Sequence, residues 1–173
     1  MKVDPMFING KSLLAAAPIA DMFSEKHRYE GTSHGLAEAG YDIRIQQQVL
    51  FVNDAYGART VVSDPDTGED ETFMGHFVLA SAMEHFQTPN NLVGFVKDKS
   101  TWARQGLSVF NTVIEPGWNG FLTLELAYHG YEGLLIKPGQ GIAQVLYGQL
   151  SEEGDYGDGK YQNQESGPVG ARS

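Results

Sequence analysis

The order of apolar and polar residues along this chain predicts many short strands and little helix. Phe121-Leu122-Thr123-Leu124-Glu125-Leu126 alternates with period two, so Leu122, Leu124 and Leu126 share one face of a strand and Phe121, Thr123 and Glu125 the other. Tyr41 to Ile45 alternates likewise. Tyr41, Ile43 and Ile45 form one face, and Asp42 and Arg44 the other, which pattern alone reads as solvated. Residues 49–52, 77–80, 92–96 and 141–150 are further strands, and 131–140 is a strand closed by the turn Lys137-Pro138-Gly139. Turns fall at 87–91 and at 113–120, where Glu115-Pro116-Gly117-Trp118 sits. Residues 21–30 are charged and aperiodic and read as a surface loop, and 53–71 are acidic and turn-rich, with the carboxylates of 64–71 at a solvated hairpin tip. Ser12 to Ala17 is a short helix, capped by Asn9 or Ser12 and ended by Pro18. Short strands at regular spacing, with turn signals between them, indicate an all-β sandwich or barrel.

Composition sharpens this picture. A length of 173 residues suggests a single domain over 1–173, and 21 glycines with 41% hydrophobic residues fit a turn-rich β protein. No apolar run approaches a membrane span, and Met1-Lys2-Val3-Asp4-Pro5 does not begin a signal peptide, so a soluble, cytoplasmic protein with no membrane partner is expected. From Ser151 onward apolar residues thin out, so 151–173 are expected to be mobile unless a ligand orders them.

Charge and residue usage then exclude whole classes of function. A net charge of −10 argues against nucleic acid as a partner, and any phosphate site must be a local island of Lys and Arg. The absence of Cys removes disulfides, thiolate metal sites and a Cys nucleophile, and with them the His/Cys/Cys zinc set of the zinc-dependent nucleobase deaminases. The five histidines form no HxH or HExxH pair, and the acidic cluster at 64–71 lacks the spacing of a calcium loop.

One stretch reads as chemical. Glu125 lies mid-strand among apolar neighbours, where an ionised carboxylate without partners is costly, so it shifts its pKa or finds a cation. Upstream, Lys99-Ser100-Thr101-Trp102-Ala103-Arg104 carries two cations and two hydroxyls, able to contact phosphate or to neutralise a buried glutamate. With Glu115 between them, this is the composition of an anionic-ligand site that includes an acid/base group.

KSTWARQGLSV, IEPGW and LTLEL closely resemble the dCTP deaminases of the trimeric dUTPase superfamily. The likeness extends to GTSHGLAEAGYDIRI, GIAQVLYGQ and GKYQNQ, and so covers most of the chain in the expected order. It implies a mainly β fold, a distorted β-barrel or jelly roll of the dUTPase-like type with a short N-terminal helix, assembled as a homotrimer with intersubunit active sites. It implies hydrolytic deamination of dCTP to dUTP and ammonia without a catalytic metal, feeding dUMP and dTTP synthesis, with Mg²⁺ entering only as a chelate of the triphosphate and no zinc.

By the same resemblance Glu125 is the acid/base residue, with Arg104 and Ser100 orienting water and holding the glutamate's charge. Lys99, Ser100 and Lys160 meet the triphosphate, with Gln164 and Tyr156 closing from the tail. Glu115 meets the deoxyribose, Trp118 excludes a 2′-hydroxyl, and backbone groups near Asn111 and Thr112 read the base edge. Asp42 matches a superfamily residue near the subunit interface, and dTTP is an inhibitor of many relatives. Three rival readings stay open: a bifunctional enzyme giving dUMP and pyrophosphate, a dUTPase alone, and a nucleotide sensor without chemistry. Glu115 in place of the dUTPase Asp, and GKYQNQESGP in place of its glycine-rich tail motif, weaken the pure dUTPase reading.

Overall fold

A computed structural model describes residues 6–173. In chain order its elements are β1 (Phe7–Ile8), α1 (Gly10–Ala16), β2 (Lys26–Tyr29), β3 (Thr32–Leu36), β4 (Tyr41–Arg44), β5 (Gln48–Asp54), β6 (Gly57–Ser63) and β7 (Asp70–Met74). There follow β8 (Phe77–Gln87), β9 (Leu92–Asp98), α2 (Ser100–Ala103), β10 (Leu107–Val109), β11 (Val113–Ile114), β12 (Asn119–Tyr128), β13 (Leu134–Ile136) and β14 (Gly141–Gln149). The mainly β architecture with a short N-terminal helix is the one expected.

Three sheets wrap one core. The largest runs β11-β9-β14-β4-β3-β2 with β1 also on β14, the second is β10-β12-β8, and the third β13-β5-β6-β7. Every strand pairing is antiparallel, and the core is filled by Tyr41, Ile43, Phe51, Phe86, Leu124, Ile142 and Tyr147, all nearly or wholly excluded from solvent. Burial on alternate positions is the source of the strands: along β8, Val78, Ala80, Ala82, Glu84 and Phe86 all point inward. Helix α1 ends where Ala17 turns left-handed and donates its N–H to Leu13 O, just before Pro18. No helix among the described residues is long and apolar enough to cross a membrane.

The structure departs from the sequence pattern at three places. Residues 21–30 are not all loop, because Lys26–Tyr29 pairs with β3 in a hairpin whose outer strand is exposed and so lacks the apolar alternation of a half-buried one. Within 53–71, Gly57–Ser63 forms β6 against β5, and only the segments on either side of it turn. On β12 a register shift between Phe121 and Thr123 breaks the strict alternation, and Leu122, packed at the edge of the core, also lines a cavity beside Thr123 and Glu125, whereas Leu124 and Leu126 are fully buried.

Candidate active site

Glu125 stands in the middle of β12, between β10 and β8, and its side chain opens into a cavity of about 640 Å³. The backbone there is held unusually firmly. The Phe110 N–H donates to Glu125 O at 2.9 Å, and the Glu125 N–H donates to Asn111 Oδ1 at 3.2 Å, while Asn111 Nδ2 donates to Thr123 O at 2.6 Å. The Asn111 carboxamide thus extends the ladder beyond Val109, where β10 ends. Burial alone pushes the Glu125 carboxyl above the usual glutamate range, and among the described residues no cation pairs with it. A carboxyl held this way keeps its proton to higher pH than a solvated glutamate does, the property that acid/base work requires of a side chain.

The cavity's wall and roof come from the Glu115-Pro116-Gly117-Trp118 turn and from the chain beyond β14. Pro at the second turn position and Gly117 at φ 76 suit a turn whose third residue must adopt positive φ. Trp118 is 6% exposed, packs on Phe86 with ring centroids 5.8 Å apart, and donates Nε1–H to Tyr161 O at 2.8 Å. The Tyr156 N–H donates to Pro116 O at 2.8 Å, and the Phe121 N–H to Gln164 O at 2.9 Å. Gly120 makes this docking possible, since at φ 139 a Cβ there would stand 2.6 Å from Gln164 N. Thr123 Oγ1 accepts both Gln164 Nε2–H at 2.5 Å and the Val169 N–H at 3.0 Å. The chain beyond β14 is thus seated across β12.

A second cavity, of about 570 Å³, lies at the start of α2. Trp102 anchors that helix by donating Nε1–H to Gly141 O at 2.7 Å, which sets Lys99 and Ser100 at the rim. Asp42 is 2% exposed, so its strand face is not solvated as pattern suggested. It accepts from Lys99 Nζ at 2.5 Å, Ser33 Oγ at 2.7 Å and Gln144 Nε2 at 2.9 Å, and these three partners offset the cost of burying its charge. Arg44, two residues along the same strand, donates Nε–H to Glu84 Oε1 at 2.8 Å and is only partly exposed.

The fold gathers Asn111, Thr112, Glu115, Trp118, Glu125, Tyr156 and Gln164 around the first cavity. It leaves Lys99 and Ser100 in the second, while the exposed Arg104 and Lys160 line neither. Lys160 Nζ donates instead to Arg172 O at 2.7 Å. Sequence reasoning missed Thr123, the hub between tail and strand, and missed Glu84, although a carboxylate among apolar neighbours is the signal that singled out Glu125. Among the described residues no three His, Asp or Glu side chains converge closely enough to hold a metal ion.

Against this geometry the comparisons with known proteins agree with one another. The family model for dCTP deaminase-like proteins matches residues 13–150. The chain is 33% identical over 160 residues to a dCTP deaminase of Acidobacterium capsulatum, across 83% of this chain and 85% of that protein. It is 35% identical over 144 residues to the dCTP deaminase of Protochlamydia amoebophila, across 76% of this chain and 77% of the relative. The crystal structure of the 2′-deoxycytidine 5′-triphosphate deaminase from Agrobacterium tumefaciens superposes with a TM-score of 0.56 at 12% identity, covering 88% of this chain and 52% of that one. At that identity the likeness speaks for the fold.

Proposed function

The chain belongs to the dCTP deaminase-like family, and from that premise we propose that it hydrolyses the 4-amino group of dCTP, giving dUTP and ammonia. The observation that carries this reading is Glu125, a carboxyl raised by burial and left without a cation, in a cavity large enough for a nucleoside. Glu125 takes a proton from water as the oxygen adds to C4 of the ring. It returns that proton to N3, and the second proton of the water reaches the 4-amino group, which departs as ammonia while the C4 carbonyl forms. Glu115 and Trp118 border the sugar, Asn111 and Thr112 the base edge, and Tyr156 and Gln164 hold the tail over the substrate.

Within one chain Ser100 and Arg104 lie away from Glu125, so the full constellation calls for a second copy. Phe77, Phe110 and Val113, between 43% and 56% exposed near the mouth of the Glu125 cavity, are suited to being covered by one. A homotrimer with sites between subunits supplies Lys99, Ser100 and Arg104 of one copy to Glu125 of the next. Mg²⁺ enters on the triphosphate, in keeping with its preference for phosphate oxygen and water.

The test is incubation with dCTP and Mg²⁺, with products resolved by ion exchange and Glu125→Gln run in parallel. dUTP is expected, and the variant should retain its fold while losing about 10²–10⁴ in kcat. Appearance of dUMP and pyrophosphate makes the enzyme bifunctional. Hydrolysis of dUTP with dCTP untouched overturns the reading in favour of a dUTPase, and binding without turnover of either leaves a sensor.

A further inference from the structure

We propose that Arg28, on the β2–β3 hairpin, is a triphosphate-binding residue of this enzyme. The inference deepens the deaminase reading and rests on it. Three cations line the cavity at the start of α2: Lys26, Arg28 and Lys99. Two are already engaged. Lys99 Nζ sits 2.5 Å from the buried Asp42, a pair whose separation would leave an uncompensated charge in the interior, and Lys26 Nζ sits 2.5 Å from Glu38.

Arg28 forms no ion pair among the described residues, so its charge is the one left for an incoming anion. None of the carboxylates on the cavity's rim is in ion-pair contact with it. Glu30 binds Lys137 at 2.9 Å, and Asp98 accepts the Val109 N–H at 2.9 Å.

Placement supports the role. Arg28 lies directly opposite Ser33 in the hairpin, and cross-strand partners share a face with Cβ atoms about 5 Å apart. Ser33 Oγ is hydrogen-bonded to both Lys99 and Asp42, so the guanidinium is rooted beside the motif residues Lys99 and Ser100. A planar guanidinium can hold two phosphate oxygens at once, which an ammonium does not. The hairpin is also the segment that sequence pattern read as loop, which is why the motifs around Lys99 did not point to it.

The experiment measures binding of Mg²⁺ with inorganic tripolyphosphate by calorimetry, for the unmodified protein, Arg28→Gln and Arg28→Lys, and separately measures KM and kcat for dCTP and dCMP. Arg28→Gln should weaken tripolyphosphate and raise the KM for dCTP by about tenfold to a hundredfold, with kcat and the KM for dCMP little changed and Arg28→Lys restoring part of the loss. Equal tripolyphosphate affinity in the unmodified and Gln proteins, or none in either, overturns the proposal whatever the activity. Failure of the unmodified protein to deaminate dCTP overturns instead the reading on which it rests.

Discussion

Asp42 and Glu125 are strand carboxylates drawn back from solvent to different depths and answered in opposite ways. Asp42, on β4, is the deeper and has a lysine, a serine and a glutamine on its oxygens. Glu125, on β12, is only half-buried, yet its oxygens meet no cation among the described residues, and the surrounding side chains bond to its backbone and to the tail. Glu84 stands with Asp42: burial raises its pKa, but both its oxygens are taken by Arg44, through the backbone N–H at 2.9 Å and Nε–H at 2.8 Å. The two carboxylates that serve the fold are neutralised locally, whereas the one to which the proposed function gives the chemistry has no such partner.

The comparison breaks first at Glu125. If the glutamine variant kept more than a tenth of the deamination rate, the unpaired carboxylate would be a structural accident, against an expected loss of about 10²–10⁴. Next in size is the Glu84 pair. Arg44→Met should cost about 3 kcal/mol in urea unfolding, because it strands a buried carboxylate. Replacing both residues by Met should cost less than that single change, and a larger loss in the double variant would mean that the pair stabilises the fold in its own right.

Smaller is the effect of Thr123→Val, which removes the acceptor of two hydrogen bonds from the tail. The KM for dCTP should rise about fivefold to tenfold, with faster hydrogen exchange at the Val169 amide. An unchanged exchange rate would show that Thr123 does not hold the tail. The smallest effect is on pH dependence. The folded pKa of Glu125 is raised above its unfolded value, so the folded state holds the proton more tightly and wild-type stability falls as pH rises through that interval. Glu125→Gln lacks this loss. Its melting temperature relative to wild type should increase from acid pH to neutrality and then level off, and a difference independent of pH would show that burial does not act on the carboxyl.

Much of this was legible in the linear order of residues. Alternation marked β4, the second half of β12 and β14, and it set Glu125 on the face opposite Leu124 and Leu126, because side-chain direction in a strand repeats every two residues whatever the strand packs against. The motif residues Glu115, Trp118, Tyr156 and Gln164 were named in the sequence and meet in one cavity. Their convergence depends on tertiary structure. The β2–β3 hairpin carries no apolar face and so left no periodic trace, and Asp42 looked solvated because nothing local shows that Lys99, 57 positions away, folds onto it. Where the tail docks left no local signal, because it is joined to β12 and to the turn before it chiefly through backbone groups, the Trp118 indole and the Thr123 hydroxyl, all distant in sequence. Local pattern therefore decided which residues are chemically out of place, and the long-range pairing of strands decided which of them are neutralised and which remain reactive.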